Sequence, residues 1–174
     1  MKKLEDYVRC IENFPKEGII FRDITTVIGD KDGLKLAIDE IIEKIKDVDF
    51  DVVVGPESRG FIFGTPVAYA LNKAFVPIRK KGKLPCETIS EDYELEYGTA
   101  TLEIHKDSIK PGDRVVIVDD LIATGGTTKA IIKLIERLGG KVVKICNVIE
   151  LVDLKARENL VGYELESLIQ YEGE

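Results

Sequence analysis

Residues 115–128 read VVIVDDLIATGGTT. An apolar run ends in two adjacent acids. A short loop then closes in Thr-Gly-Gly-Thr-Thr, and Ala130, Ile131, Leu134, Ile135 and Leu138 follow at helical spacing. The pattern is strand, turn, helix. In open parallel sheets ligands bind beyond the carboxyl ends of the strands, and Asp119 and Asp120 stand at the end of a strand predicted over 114–118. Their carboxylates can accept hydrogen bonds from ribose hydroxyls. Gly125 and Gly126 let the main chain turn tightly and bring its amides to a phosphate. Thr124, Thr127 and Thr128 add hydroxyl donors, and the helix start adds its positive end. A plain turn with a helix cap would use many of the same residues, so the full succession carries the reading. It lacks the lysine of GxxxxGK[ST] and the spacing of GxGxxG. The segment predicts a cradle for a sugar phosphate.

Working outward, LKLAIDEIIEKIKD places Leu34, Ile38, Ile41, Ile42 and Ile45 on one helical face. Buried strands are predicted over 51–54 and 142–149, a strand over 74–79 and an alternating one over 99–105. A helix is predicted over 64–72, with Pro66 in its first turn, and a short amphipathic helix over 3–11. FPKEGIIFRD reads as an irregular arm, because Pro15 and Gly18 interrupt it. Residues 80–97 show little periodicity and read as a long mobile loop of the kind that serves as a lid. The last segment, 151–174, is mixed. Strands alternating with helices predict an α/β fold, a mainly parallel central sheet flanked by helices, in one domain over 1–174.

The chain has 174 residues and a formal net charge of −7. A duplex-DNA binder that neutralises phosphates would be basic, so nucleic acid is not an expected partner. Cys10, Cys86 and Cys146 are odd in number, widely spaced and without metal-ligand spacing, which argues against a disulfide framework and for a reducing cytoplasm. MKKLEDYVRC has no apolar core of a signal peptide. No apolar run approaches ~18 residues, so no membrane association is expected.

The phosphate loop resembles the signature of type I phosphoribosyltransferases. Further segments resemble the adenine-using members of that family: FPKEGIIFRDIT (14–25), GPESRGFIFG (55–64), VPIRKKGKLP (76–85), the long run LEYGTATLEIHKDSIKPGDRVVIVDDLIATGGTT (95–128) and SLIQYE (167–172). The resemblance covers nearly the whole chain. It implies that family's fold, with a small hood and a flexible lid loop, and a homodimer whose arm and 80–83 region contribute to the interface. It also implies transfer of the 5-phosphoribosyl group from phosphoribosyl pyrophosphate to adenine, giving AMP and pyrophosphate.

Residue by residue, the resemblance assigns ribose to Asp119 and Asp120, and the 5-phosphate to Ala123, Thr124, Gly125, Gly126 and Thr127. Pyrophosphate falls to Glu57, Ser58 and Arg59, whose loop is often cis in the family, and to the basic residues Arg79, Lys80 and Lys83. Adenine falls to Phe21, Arg22 and Arg59. Glu96 is the candidate base for the N7 proton, and Tyr97 closes over the ribose. Pro56 and Cys86 depart from the family's usual residues. Ala123 stands where the hypoxanthine-guanine enzymes usually carry an aspartate near purine N7, and alanine cannot take that proton, so Ala123 favours adenine. His105, the lone histidine, lies in a strand pattern and reads as structural. Mg2+ is implied, held mainly by pyrophosphate oxygens and water without a dedicated protein site. Competing readings are transfer to hypoxanthine, guanine or xanthine, a non-catalytic phosphoribosyl pyrophosphate-binding regulator, and a generic nucleotide-binding module.

Overall fold

The apolar runs around the cradle lie side by side in the computed structural model, which describes residues 2–95 and 97–173. In chain order the elements are β1 (Arg9–Glu12), β2 (Ile20–Asp23), α1 (Thr25–Ile28), α2 (Lys31–Ile45), β3 (Val52–Pro56), α3 (Arg59–Ala70), β4 (Ala74–Lys80), β5 (Thr88–Glu94), β6 (Thr99–His105), β7 (Arg114–Ile122), α4 (Gly126–Arg137), β8 (Lys141–Leu151), α5 (Ala156–Asn159) and β9 (Leu165–Tyr171). The main sheet has seven strands in the order β5-β6-β4-β3-β7-β8-β9, and β1 and β2 form a separate ribbon. From β4 through β9 the pairing is parallel; β6 and β5 are added antiparallel at one edge.

Alternation along the central strands builds two cores. Val52, Val54, Val115 and Ile117 face Ile131, Leu134 and Ile135 of α4 and Ala156 of α5. Val53, Val116 and Val118 face Ile41 and Ile45 of α2 and Phe63 and Val67 of α3. Strands buried on both faces read as continuous Val/Ile runs, which is why β3, β7 and β8 were readable. α2 starts at Asp30, whose carboxylate accepts from the amides of Asp32 and Gly33 at 2.9 and 3.0 Å.

Several boundaries differ from the sequence expectation, each for a tertiary reason. Residues 3–11 are not one helix: a 3-10 turn at Leu4–Tyr7 leads into β1. Part of the irregular arm is β2, paired antiparallel with β1 from Arg9↔Asp23 to Glu12↔Ile20. Asp23 fixes this ribbon, accepting from the Thr25 hydroxyl and amide and pairing with Arg9. α3 begins at Arg59, not at 64, and Pro66 lies inside it rather than in its first turn; Gly60 and Gly64 are buried on its packed face.

The stretch read as a mobile loop holds β5, in seven-residue register with β6. Its inward positions are Ile89, Glu91 and Tyr93. Ile89 and Tyr93 lie against the α4-side core, while Glu91 binds Lys133 and Arg137 of α4. An acid at the middle inward position hides the period-2 signal. Finally, β7 does not stop at Val118 but runs to Ile122, because β8 continues beside it through Asp119↔Asn147 and Ile122↔Glu150. The two acids therefore sit on the strand itself.

Candidate active site

Two loops meet at the carboxyl ends of β3 and β7. After Pro56, the Glu57–Ser58 peptide is cis and α3 starts at Arg59. Gly60 is required by close approach: a Cβ there would lie 2.8 Å from the Pro56 ring and 3.1 Å from Asp119 Oδ1. The buried Pro56 thus abuts the helix start. Arg59 Nε lies 2.6 Å from Asp120 Oδ2, and the Asp119 carboxylate accepts the Asp120 amide at 2.8 Å. Burial, then the charge of Asp120, push Asp119 well above the usual carboxylate range.

A cavity of about 340 Å³ opens here, bordered by Ser58, Arg59, Lys80, Asp119, Asp120 and Thr127. Glu57 also borders it, but its side chain is committed elsewhere: it accepts from the Lys80 amide at 2.8 Å and from Arg79 Nε at 3.2 Å. Burial would raise the Glu57 carboxyl, but the Lys80 amide and Arg79 outweigh it and lower the pKa. Arg79 consequently stands behind Glu57 and is not among the residues bordering the cavity. Lys83 is exposed beyond the end of β4 and does not border it either.

The second cavity, about 160 Å³, is formed by Asp119 and residues 121–128, with Ala123, Thr124, Gly125, Gly126 and Thr127 all contributing. Gly125 has φ +85° and is the N-cap of α4, with no side-chain cap bond. L side chains rarely adopt that φ, so glycine is needed at this turn. An α-helix N-terminus free of a side-chain cap presents its amides to an anion.

The third cavity is larger, about 590 Å³, and mostly apolar. Ile19 and Ile20 of the arm, Leu95 beyond β5, and Leu151, Leu154 and Tyr171 form its walls. Thr124 borders both this cavity and the phosphate loop, while Asp119, Leu121 and Thr127 border both the loop and the first cavity. The three are therefore neighbours around the phosphate loop.

Most sequence-predicted site residues converge here, with informative exceptions. Phe21 does not border the apolar cavity; its ring meets Phe14 edge-on at 5.3 Å. Arg22 stacks over Tyr171 at 4.0 Å and donates to Cys10 Sγ at 2.8 Å, one layer behind the wall. Arg59 faces the acids rather than the apolar cavity. Tyr97 is exposed, and Lys16 of the arm lies over its ring at 5.5 Å. Glu96 lies outside the described residues. His105 accepts the Cys86 amide at 3.4 Å and sits away from all three cavities. The cavity walls Ile20, Leu151 and Leu154 were missed because isolated aliphatics read as core; Tyr171 was signalled only by the SLIQYE segment. Among the described residues no cluster of three or more His, Cys, Asp or Glu side chains could hold a metal.

Comparison with known proteins identifies the family. The profile of the phosphoribosyl transferase domain matches residues 26–165. An adenine phosphoribosyltransferase of Lachnoclostridium phytofermentans is 67% identical, over 99% of both chains. The crystal structure of an adenine phosphoribosyltransferase from Thermoanaerobacter pseudethanolicus superposes with a TM-score of 0.93 at 50% identity, covering 97% of this chain and 98% of that one. An adenine phosphoribosyltransferase from Trypanosoma brucei, solved with AMP, pyrophosphate and ribose-5-phosphate, gives a TM-score of 0.87 at 25% identity, covering 96% of this chain and 78% of that one. Fold, site and near-full-length identity converge: the chain belongs to the phosphoribosyltransferase family, among its adenine phosphoribosyltransferases.

Proposed function

We propose that the three cavities divide the reaction of this family among them. The enzyme forms AMP from adenine and phosphoribosyl pyrophosphate. The observation that carries the division is the contiguity of three chemically distinct cavities, with Thr124 joining the anion cradle to the apolar one.

In this reading the 5-phosphate sits on the loop amides and hydroxyls of residues 124–127, beside Ala123, at the α4 N-terminus. Asp119 and Asp120 accept the ribose hydroxyls. The negative charge shared by this coupled pair also favours the oxocarbenium character that develops at C1′. The pyrophosphate lies against Ser58, Arg59 and Lys80, where cationic groups stabilise the leaving group. Arg79 acts one step back by fixing Glu57, and Lys83 approaches only as a long-range charge. The purine lies between Ile20 and Leu154, with Phe21 and Arg22 shaping the wall from behind. Holding the base and C1′ in contact supplies much of the acceleration. Adenine N9 attacks C1′ as pyrophosphate leaves; the N7 proton then goes to Glu96 in the family's pattern, and Tyr97 screens the ribose from water.

Mg2+ fits the donor set. Pyrophosphate oxygens and water would supply most of the ligands, with Asp119 or Asp120 offering a hard oxygen to the outer shell. Bound there, Mg2+ would supply positive charge to the leaving pyrophosphate. We place the protein in a reducing cytoplasm, in keeping with three free cysteines. Among the described residues no helix is long and apolar enough to cross a membrane. The half-exposed Phe14 of the arm and the exposed residues 80–83 support a homodimer, which sedimentation would check.

The test is base selectivity with Mg2+ present. Mass detection should show AMP from adenine at a rate at least ~100-fold above product from hypoxanthine or guanine. Equal turnover of 6-oxopurines would replace this reading with the broader purine one. Binding of phosphoribosyl pyrophosphate without any nucleotide product would favour a regulator.

A further inference from the structure

The short helix α5 lies on the far side of the phosphate loop from the cradle. A Cβ on Gly125 would meet Ala156 and Leu160 at 3.4 Å, yet neither residue borders the cradle. From the same side, Asn159 Nδ2 donates to the Thr124 carbonyl at 2.8 Å. In a trans peptide the C=O and the following N–H point in opposite directions. A Thr124 carbonyl held toward α5 therefore turns the Gly125 N–H away from α5, toward the cradle. Gly125 carries no side chain that could do this, and its φ of +85° leaves its orientation to neighbours.

α5 is itself pinned. The Arg157 guanidinium forks onto Glu150 of β8, Nε to Oε1 and Nη2 to Oε2, each at 2.8 Å. Its third nitrogen donates to the Leu165 carbonyl of β9 at 3.0 Å. Gln170 of β9 donates to Glu150 at 3.2 Å. Glu150 is 2% exposed, so removing its partner would strand a buried charge. A four-residue helix has little stability of its own; this fork ties it to two strands of the sheet.

We propose that Asn159 is a positioning residue for phosphoribosyl transfer, holding the Thr124–Gly125 peptide so that the Gly125 amide faces the 5-phosphate, with the Glu150–Arg157 fork as its anchor. The inference rests on the assignment of residues 124–127 to that phosphate. Because Thr124 also borders the apolar cavity, the same hydrogen bond sets the spacing between phosphate and base.

Asn159→Asp keeps the shape but replaces the donor with an acceptor; Asn159→His restores a donor. Calorimetric titration with ribose 5-phosphate should give a dissociation constant about threefold to tenfold weaker for Asn159→Asp, in line with one lost hydrogen bond. The KM for phosphoribosyl pyrophosphate should rise with it, and Asn159→His should recover at least half of the loss. Since Asn159 is exposed, the melting temperature should stay within ~2 °C, which separates positioning from general destabilisation. Wild-type-like binding by Asn159→Asp would overturn the inference while leaving the cradle intact. No ribose 5-phosphate binding by the wild-type protein would overturn the cradle assignment and the inference with it.

Discussion

The middle of the sheet and its antiparallel edge do different work. β3, β7 and β8 are buried on both faces, and their ends carry the acids, the phosphate loop and the cis Glu57–Ser58 turn. Their groups are locked by short-range bonds, such as Arg59 to Asp120 and the Glu57 carboxylate to the Lys80 amide. At the periphery, the β1–β2 ribbon, the arm after Phe14 and the end of β5 wall the apolar cavity together with the ends of β8 and β9. They are joined by contacts such as Lys16 over Tyr97 and Phe14 against Phe21. In the proposed reading, the difference assigns the anionic sugar to the buried strand ends and the flat base to the periphery. Loops and margins that must admit and release a ligand are drawn from the less stable parts of a fold.

This contrast can be broken first at the rigid side. Asp120→Asn removes a ribose acceptor and the partner of Arg59 together. We expect kcat/KM for phosphoribosyl pyrophosphate to fall by about 100-fold, with little change in the melting temperature. A fall below threefold in steady-state assays would show that the acids are not essential to ribose placement.

On the adaptable side, Leu154→Ala enlarges the apolar cavity without touching the anion sites. The KM for adenine should rise about tenfold, while the KM for phosphoribosyl pyrophosphate stays within twofold. Parallel increases in both would mean that the cavities are not separate stations.

The smallest effect concerns the ribbon that carries the arm. Hydrogen bonds from Thr25, then from Arg9, lower Asp23 from 3.8 to about 2. A depressed carboxyl contributes stability that is present above its unfolded pKa and lost as pH falls through the folded value. Asp23→Asn should therefore cost about 1 kcal/mol at neutral pH, a modest figure because Arg9 is exposed. The gap from wild type in urea unfolding should close between pH 4 and pH 2. A gap independent of pH would place the loss in shape rather than in charge.

How far the sequence could be read follows the same division. β3, β7 and α4 announce themselves through local pattern, and DDLIATGGTT carries the donor pattern from which a sugar-phosphate cradle is proposed. The periphery does not. β5 carries Glu91 at an inward position because its partners are Lys133 and Arg137 on α4, a relation no local window contains. β1 finds its partner across the arm, Arg9 opposite Asp23. Arg79 reads as an anion ligand from the basic cluster that it begins, and nothing in the local sequence signals that Glu57, 22 positions earlier, accepts from its Nε. Asn159 gave no signal at all: an amide in an ordinary surface stretch acquires meaning only when α5 docks behind Gly125.

In the proposed reading one nucleotide spans from the phosphate loop to the apolar cavity past Thr124. A crystal structure of the protein with AMP tests it directly. The account predicts the phosphate within hydrogen-bond reach of the Gly125–Thr127 amides, the ribose hydroxyls on Asp119 and Asp120, and the base between Ile20 and Leu154 beside Tyr171. A base lying against Arg59 and Lys80, with the apolar cavity unfilled, would contradict it.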